Sequence, residues 1–140
     1  MRASEICPDL KIAPSHEVSC SVVALEGEKV IGWIMGGFTA AGTFYMRNSA
    51  VVPDHRRKGI YTSMMENLAQ FVAPRGVYVL ESLHHPSNNE VIIAKLKHGF
   101  MIHGMEVDVQ FGTLVKLKKY LHKNFDEVFD KRVGYKKWNS

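Results

Sequence analysis

The stretch from Val51 to Met65 constrains this chain most, because in it an apolar strand gives way to a basic turn and then to a helix. The strand breaks at Pro53, a single Gly59 follows the turn, and apolar residues then recur with helical spacing. N–H groups at the start of a helix have no acceptors in their own helix, and the helix dipole is positive there. The turn is therefore predicted to bind an anion, such as the phosphate or pyrophosphate of a small cofactor. Its positive side chains are Arg56, Arg57 and Lys58.

The segments on either side of this turn predict a parallel strand–helix–strand unit. Residues Thr43 to Val52 alternate as a strand, and the helix is predicted from Ile60 to Phe71, with Pro74 and Gly76 ending it. The apolar run Val77 to Leu80 is typical of a strand that is covered on both faces. Such a crossover is right-handed in nearly all proteins.

The rest of the chain extends this unit to an α/β domain with a mixed sheet. The chain is predicted to form one domain, because about 140 residues can bury a real core. We expect an arm over 1–18, the core over 19–118, and a C-terminal helix with a basic tail over 119–140. The other predicted elements are a hairpin (Ser19–Leu25 and Val30–Met35), a bulge at Gly36-Gly37, a loop over Thr39–Gly42, a helix (Glu90–Lys97), two strands (Phe100–Leu117) and a helix (Lys118 to about Lys131).

Composition limits the class of protein but does not identify a function. No apolar run approaches the ~20 residues of a membrane span, and the N-terminus does not have the pattern of a signal peptide. Cys7 and Cys20 form neither a disulfide framework nor a metal-binding spacing, so we expect a reducing cytoplasm. The net charge of +4 suits an anionic cofactor as well as a nucleic acid.

Two motifs together resemble the GNAT superfamily of acyl-coenzyme A-dependent N-acetyltransferases. The first is Val51-Val52-Pro53-Asp54-His55-Arg56-Arg57-Lys58-Gly59-Ile60-Tyr61, which is similar to the family's Q/R-x-x-G-x-G/A loop after a strand. The second is Asn88 to Phe100, a helix that opens with Asn and closes in Gly-Phe. The resemblance covers roughly 19–117 and implies a GNAT-like fold with acetyl-CoA as the acyl donor and an amine as the acceptor.

The resemblance also implies roles for individual residues. Coenzyme A would lie where the strands Thr43–Val52 and Val77–Ser82 separate. The backbone of Val51 and Val52 would pair with the pantetheine amides, Asn88 would bind the same arm, and the Val51 N–H could stabilise the oxyanion. The pyrophosphate would be held by N–H groups of Arg57, Lys58, Gly59, Ile60, Tyr61 and Thr62.

Two positions depart from the family pattern. Tyr61 stands where the family usually has Gly or Ala, so its side chain must turn away from the phosphates. Lys95 stands where the family often has a Tyr that protonates the leaving thiolate. A lysine could act as that acid if its amine were desolvated.

The acceptor amine must lose a proton, and Glu81 at the end of a central strand is the predicted base. The alternative is that Glu81 is only a solvated charge at the strand end. His84 and His85 follow on the adjacent loop and could relay protons, since imidazole titrates in the useful range, although a polar loop role is the plainer interpretation. The spacing among His84, His85, His98 and His103 does not match a metal site.

Three functions remain open from the sequence. The leading one is direct acetyl transfer to a primary amine in a ternary complex. The second is a non-catalytic acyl-CoA-binding sensor or accessory module, and the third is a basic RNA- or protein-binding domain. The short N-terminal arm leaves the usual roof over the acceptor incomplete, and the C-terminal helix could fill it or pack in a homodimer. The acceptor itself is not predicted.

Overall fold

A computed structural model of the chain describes residues 19–40, 42–122 and 124–125. The N-terminal arm and most of the C-terminal tail lie outside the described residues, so their predicted roles and the predicted domain boundaries stay predictions. The described residues contain, in order, β1 (Ser19–Glu26), β2 (Lys29–Ala40), β3 (Thr43–Val51), α1 (Ile60–Val72), β4 (Val79–His84), α2 (Asn89–Lys97), β5 (Met101–Asp108) and β6 (Gly112–Tyr120). Neither of these helices is long and apolar enough to cross a membrane.

The six strands form one mixed sheet in the order β1-β2-β3-β4-β6-β5. Only β3 and β4 run parallel, and α1 connects them, whereas the other neighbours are antiparallel. Parallel neighbours require a crossover of this kind, and antiparallel ones can be joined by short turns. The predicted mixed α/β sheet is confirmed.

The parallel pair β3–β4 separates soon after it forms. Its register is limited to Thr43–Val79, Phe44–Leu80 and Tyr45–Glu81. Beyond these pairs β3 stays bound to β2 and β4 stays bound to β6, so a gap opens between the two strands. We call this gap the splay.

Both described helices pack over one face of the sheet. Met64, Met65, Leu68 and Val72 of α1 are buried in the main core, whose other members include Ile34, Phe44, Met46, Leu80, Phe100 and Leu117. Phe71, the last residue of the predicted helix, does not belong to this buried face and is 44% exposed. The fourfold spacing from Met64 through Leu68 leads to Val72 instead.

Two strands are longer than predicted because they pair with neighbouring strands beyond their predicted ends. β2 continues through the glycine pair to Ala40, with a register shift between Met35 and Gly36. A Cβ at Gly36 would lie 2.2 Å from the Tyr45 carbonyl oxygen, so the two backbones approach too closely for a side chain. β4 begins two residues later than predicted and continues to His84, because β6 pairs with it along its whole length.

The C-terminal helix is predicted to begin at Lys118, but strand β6 continues through Tyr120. Lys118 and Tyr120 belong to β6, where they pair with Glu81 and Val79. Leu121 packs against the core, and the ring of Phe125 stacks on Tyr78 at 4.7 Å. The remaining residues of that prediction, including Val128 and Phe129, lie outside the described part of the chain.

Candidate active site

A groove runs along the splay between β3 and α2. Its central cavity has a volume of about 270 Å³ and is lined by Val51, Tyr61 and Ala94, among others. A cavity of about 230 Å³ continues it toward the start of α1, and one of about 160 Å³ continues it toward β4. The neighbouring cavities share lining residues, so we treat them as one feature, the splay groove.

One end of the splay groove is the bare N-terminus of α1. Gly59 is the N-cap in a left-handed conformation (φ 77°), and no side chain caps the helix. The first intrahelical acceptor is the Gly59 carbonyl, bound by the Ser63 N–H at 3.0 Å. The N–H groups of the turn before Ser63 therefore point out of the helix without helical acceptors.

The predicted anion-binding residues meet at this end of the groove. The cavity there is lined by Arg56, Arg57, Gly59, Ile60, Tyr61 and Thr62. Lys58 is exposed beside them, and the first turn of α1 contains no acidic residue. Positive charge and free N–H groups thus converge at one point, as an anion site requires.

Arg56 and His55 tie the loop to the sheet. The Arg56 Nε–H donates a hydrogen bond to the Val51 carbonyl oxygen at 2.9 Å. His55 Nε2 lies 2.6 Å from a Glu26 carboxylate oxygen, and this contact lowers the pKa of Glu26. Arg56 therefore fixes the loop to β3 through this hydrogen bond and also adds positive charge to the groove.

The backbone of β3 presents Val51 and Val52 in opposite directions. The Val52 N–H donates to the Ile31 carbonyl oxygen at 2.9 Å, on the side of β2. Backbone groups of consecutive strand residues alternate in direction, so the Val51 N–H faces the splay. Of the two predicted pantetheine partners, Val51 is thus the one whose amide is turned toward the groove.

Tyr61 turns its side chain beneath the groove. Its ring lies edge-on to His98 at 5.6 Å, and its hydroxyl is buried near Ser49 without a hydrogen bond of normal geometry. Burial raises the pKa of Tyr61, and Ser49 moderates the shift. The side chain of Tyr61 therefore lies outside the anion site, and Tyr61 contributes to that site through its backbone.

Lys95 is the most unusual residue of the site, because its side chain is only 1% exposed. Its Nζ lies 3.3 Å from Met46 Sδ and 4.5 Å from the centre of the Phe100 ring. Burial in these apolar surroundings lowers the pKa of Lys95 to about 7. The amine can therefore gain or lose a proton near neutral pH.

His84 lies beside Lys95 on the wall of the same cavity. Its Nε2 is 3.0 Å from the hydroxyl of the fully buried Ser82. Burial, together with the charge of Lys95, lowers the pKa of His84 to about 4. The imidazole is therefore neutral at pH 7.

Asn88 caps α2 with its backbone and not with its side chain. Its carbonyl accepts the Ile92 N–H at 3.1 Å, and its side chain makes no cap hydrogen bond. The residue lines the cavity between β3 and α2. Its amide is thus available to a molecule in the groove.

Glu81 is not brought together with His84 and Lys95. Alternate residues of β4 face opposite sides of the sheet, so the buried Leu80 and Ser82 face the helices and Glu81 faces away from them. Its carboxylate lies 3.8 Å from Lys116 Nζ and 3.7 Å from Lys118 Nζ. Lys116 also forms an ion pair with Glu106.

Sequence reasoning missed Ser82 and the two lysines that contact Glu81. Ser82 and Lys116 alternate with apolar strand residues, so period-two spacing places each on a face of its strand. Ser82 meets His84 two positions later on the same face of β4. The meeting of Lys116 and Lys118 with Glu81 follows from the β4–β6 register, which no local pattern shows. Among the described residues, three or more His, Cys, Asp or Glu side chains nowhere form a group that could hold a metal.

Comparison with solved structures gives the same fold. An IAA acetyltransferase from Bacillus cereus is 21% identical with a TM-score of 0.66, over 73% of this chain and 77% of that one. Nourseothricin acetyltransferase is 19% identical with a TM-score of 0.69, over 80% and 71% of the two chains. A GNAT acetyltransferase from Elizabethkingia anophelis, solved with acetyl-CoA bound, is 14% identical with a TM-score of 0.65, over 71% and 74%.

Comparison with sequences identifies the family. No curated protein matches the chain. The family model "Acetyltransferase (GNAT) family" matches residues 3–100, which is more than half of the 140 residues. With the six-stranded sheet, the splay and the bare helix N-terminus described above, this match shows that the chain belongs to the GNAT acetyltransferase family.

Proposed function

We propose that this protein transfers an acetyl group from acetyl-CoA to a primary amine, by direct attack within a ternary complex. The observation that carries this proposal is the splay groove, which leads from the bare N-terminus of α1 to the buried amine of Lys95. Acetyl-CoA would supply the activated thioester. The chain would supply binding, alignment and proton transfer, and alignment alone can remove much of the barrier.

The residues of the groove fit coenzyme A along its length. The N–H groups from Arg57 to Thr62 would hold the pyrophosphate, with Arg57 and Lys58 adding charge. The Val51 N–H would donate a hydrogen bond to the acetyl carbonyl oxygen or to a pantetheine carbonyl, and the Asn88 amide would bind the pantetheine arm. Val52, whose N–H is bound by Ile31, would support β3 from the side of β2.

Lys95 would act as the acid in this reaction. When the new C–N bond forms and the C–S bond breaks, the electron pair of the C–S bond stays on sulfur. The Lys95 ammonium would give its proton to this thiolate. It already lies within reach of a sulfur atom, Met46 Sδ, and its lowered pKa makes proton release easy.

The proton of the attacking amine would leave by way of His84 and water. A neutral imidazole whose pKa is about 4 holds a proton weakly, so His84 would pass it on and not store it. Glu81, on the opposite face of the sheet, would accept this proton through water.

Glu81→Gln should then lower the rate of acetyl transfer and alter its pH dependence. An unaltered pH profile would remove Glu81 from the proton route.

Two measurements test the proposed function. Acetyl-CoA should raise the unfolding temperature, because a ligand that binds only the native state stabilises it. Release of free thiol should then appear when a panel of primary amines is added. Binding without thiol release from any amine would favour the non-catalytic sensor, and lack of binding would refute both.

A further inference from the structure

The splay groove determines which end of an acyl-CoA molecule meets Lys95. The bare N-terminus of α1, with its positive side chains, lies at one end of the groove and suits the pyrophosphate. The central cavity shares Ala94 with that end and Val91 with the 160 Å³ cavity at the other end. In acyl-CoA the thioester lies at the tip of the pantetheine arm, which leads away from the pyrophosphate. The thioester would therefore reach the 160 Å³ cavity, which Lys95 lines.

The amine of Lys95 has no counter-charge within the described part of the chain. Its Nζ contacts Met46 Sδ and the ring of Phe100, and it forms no ion pair with a described carboxylate. Because the side chain is only 1% exposed, burial without a counter-charge favours the neutral amine over the ammonium. The neutral amine has a free electron pair and is a nucleophile, whereas the ammonium is not.

The titratable groups around Lys95 do not hold a proton on its amine. His84 has its pKa lowered to about 4, and burial also lowers the pKa of His98, so both imidazoles are neutral at pH 7. The ring of Tyr61 lies 5.9 Å from the Lys95 Nζ, and burial raises the pKa of Tyr61, so the phenol is neutral as well. With a pKa of about 7, Lys95 carries the free amine in about half of the molecules at that pH.

From this placement we propose that Lys95 is a self-acetylation site, whose amine takes the acetyl group of acetyl-CoA bound in the splay groove. The nitrogen bonds to the acetyl carbonyl carbon, the C–S bond breaks, and its electron pair stays on sulfur. The proton that the nitrogen loses goes to this thiolate, so the products are N-acetyl-Lys95 and coenzyme A. The inference rests on the proposed binding of acetyl-CoA in the groove, but it does not require an acceptor amine.

Acetylation of Lys95 produces an off state of the protein. The amide has no ammonium proton to give to a leaving thiolate, and the added group fills part of a cavity of about 160 Å³. An amide is a far poorer acyl donor than a thioester, so the acetyl group stays on Lys95. An acceptor amine competes with Lys95 for the same thioester, so the modification accumulates when acetyl-CoA is present and the acceptor is not.

The modification can be measured as the occupancy of acetyl-Lys95, by peptide mass spectrometry after incubation with acetyl-CoA and no amine. Lys95 should become acetylated at a rate that saturates with acetyl-CoA, and thiol release should stop at a single equivalent. Free coenzyme A should slow this reaction by competition, but it should not slow the labelling of exposed lysines. Lys95→Met should abolish the equivalent of thiol, whereas Lys29→Met, which removes an exposed lysine at the start of β2, should behave as the wild type.

The pH dependence separates Lys95 from exposed lysines. From pH 6 to pH 8 the rate at saturating acetyl-CoA should rise about tenfold at Lys95, because its neutral fraction levels off above its pKa of about 7. Over the same range the acetylation of exposed lysines should rise about a hundredfold, since their amines stay almost fully protonated.

Failure of this inference can be told apart from failure of the proposed function. If Lys95 stays unmodified while acetyl-CoA raises Tm, or if Lys95 and exposed lysines are labelled equally, self-acetylation is overturned and the proposed transfer to an amine stands. If acetyl-CoA does not bind, both are overturned. Thiol release with an amine should fall in step with the fraction of acetyl-Lys95, and an unchanged rate in fully acetylated protein would contradict the off state.

Discussion

At the scale of single residues, the position of Lys95 could be predicted from the sequence but its surroundings could not. The count from Asn88 to Gly99 places Lys95 where the resembled family has its acid. Its burial depends on Met46, which is 49 positions earlier in the sequence. A helix pattern gives the face of a residue, but the depth at which it is buried depends on what packs over it.

The proposed role of Lys95 predicts the pH dependence of the rate. The acid must be protonated, so kcat/KM for the amine should fall as the pH rises above about 7, the pKa of Lys95. Lys95→Tyr should move this falling limb upward by as much as about three pH units, because the pKa of tyrosine is ordinarily about 10. Lys95→Met should remove the limb and lower the rate by about 10²- to 10⁴-fold. A Lys95→Met profile that matches the wild type would refute the assignment.

The same residue predicts the pH dependence of stability. The pKa of Lys95 falls from its ordinary 10.5 to about 7 on folding. Between these values the unfolded chain binds a proton that the folded chain does not, so this residue makes the free energy of unfolding rise with pH. The slope is at most about 1.4 kcal/mol per pH unit.

Lys95→Met isolates this contribution. The variant should have its greatest advantage over the wild type at pH 7 and below, where the wild type buries a charged amine. That advantage should shrink as the pH rises toward 10, when measured by urea unfolding at a series of pH values. Lys58→Met, which removes an exposed lysine, is the matched control for the loss of one lysine side chain. Parallel curves for Lys95→Met and the wild type would contradict the prediction.

At the scale of elements, local patterns predicted α1, α2 and the two hairpins but misjudged where strands end. The spacing of Leu121 and Phe125, as on one helical face, predicts a helix from Lys118 onward. Pairing with β4 keeps this segment extended through Tyr120. Strand ends set by a distant partner cannot be read from local spacing.

The start of α1 offers a paired test of the anion site. Gly59 has φ 77°, and a Cβ there would have no atom within 4 Å, so Gly59→Ala adds strain of roughly 1–2 kcal/mol without a clash. Gly59→Trp adds the same backbone strain and places a large ring at the mouth of the groove. Both variants should unfold at similarly reduced temperatures, while only Gly59→Trp should lose acetyl-CoA binding in calorimetry. Equal affinities in the two variants would move the pyrophosphate away from this turn.

At the scale of the whole molecule, the sheet consists of two halves joined by a short stretch of strand pairing. β1, β2 and β3 form one half, and β4, β6 and β5 form the other, with the three β3–β4 residue pairs between them. The splay groove lies on the side of the helices, and a cavity of about 390 Å³, lined by Tyr45, Leu83 and Phe111 among others, lies on the other side of the splay. A reaction that brings donor and acceptor from opposite sides of a sheet needs such an opening.

This arrangement predicts how a bound ligand changes the stability of the molecule. Acetyl-CoA in the splay would bond to Val51 in one half and to Asn88, which follows the last strand residue of β4, in the other. At a hundred times its dissociation constant it should add about 2.7 kcal/mol of stability, which corresponds to a rise of roughly 5–10 °C in Tm. Amide hydrogen exchange should slow in β3 from Asn48 to Val51, beyond the last β3–β4 pair.

A truncated ligand separates the two parts of this effect. Acetyl-pantetheine lacks the pyrophosphate, so it keeps the contacts across the splay and loses those at the start of α1. At equal concentration it should raise Tm far less than acetyl-CoA, because its affinity is lower. At saturating concentration it should still slow exchange in β3. If full-length acetyl-CoA raises Tm but leaves exchange between Asn48 and Val51 unchanged, the ligand does not bridge the two halves, and the splay is not where the thioester lies.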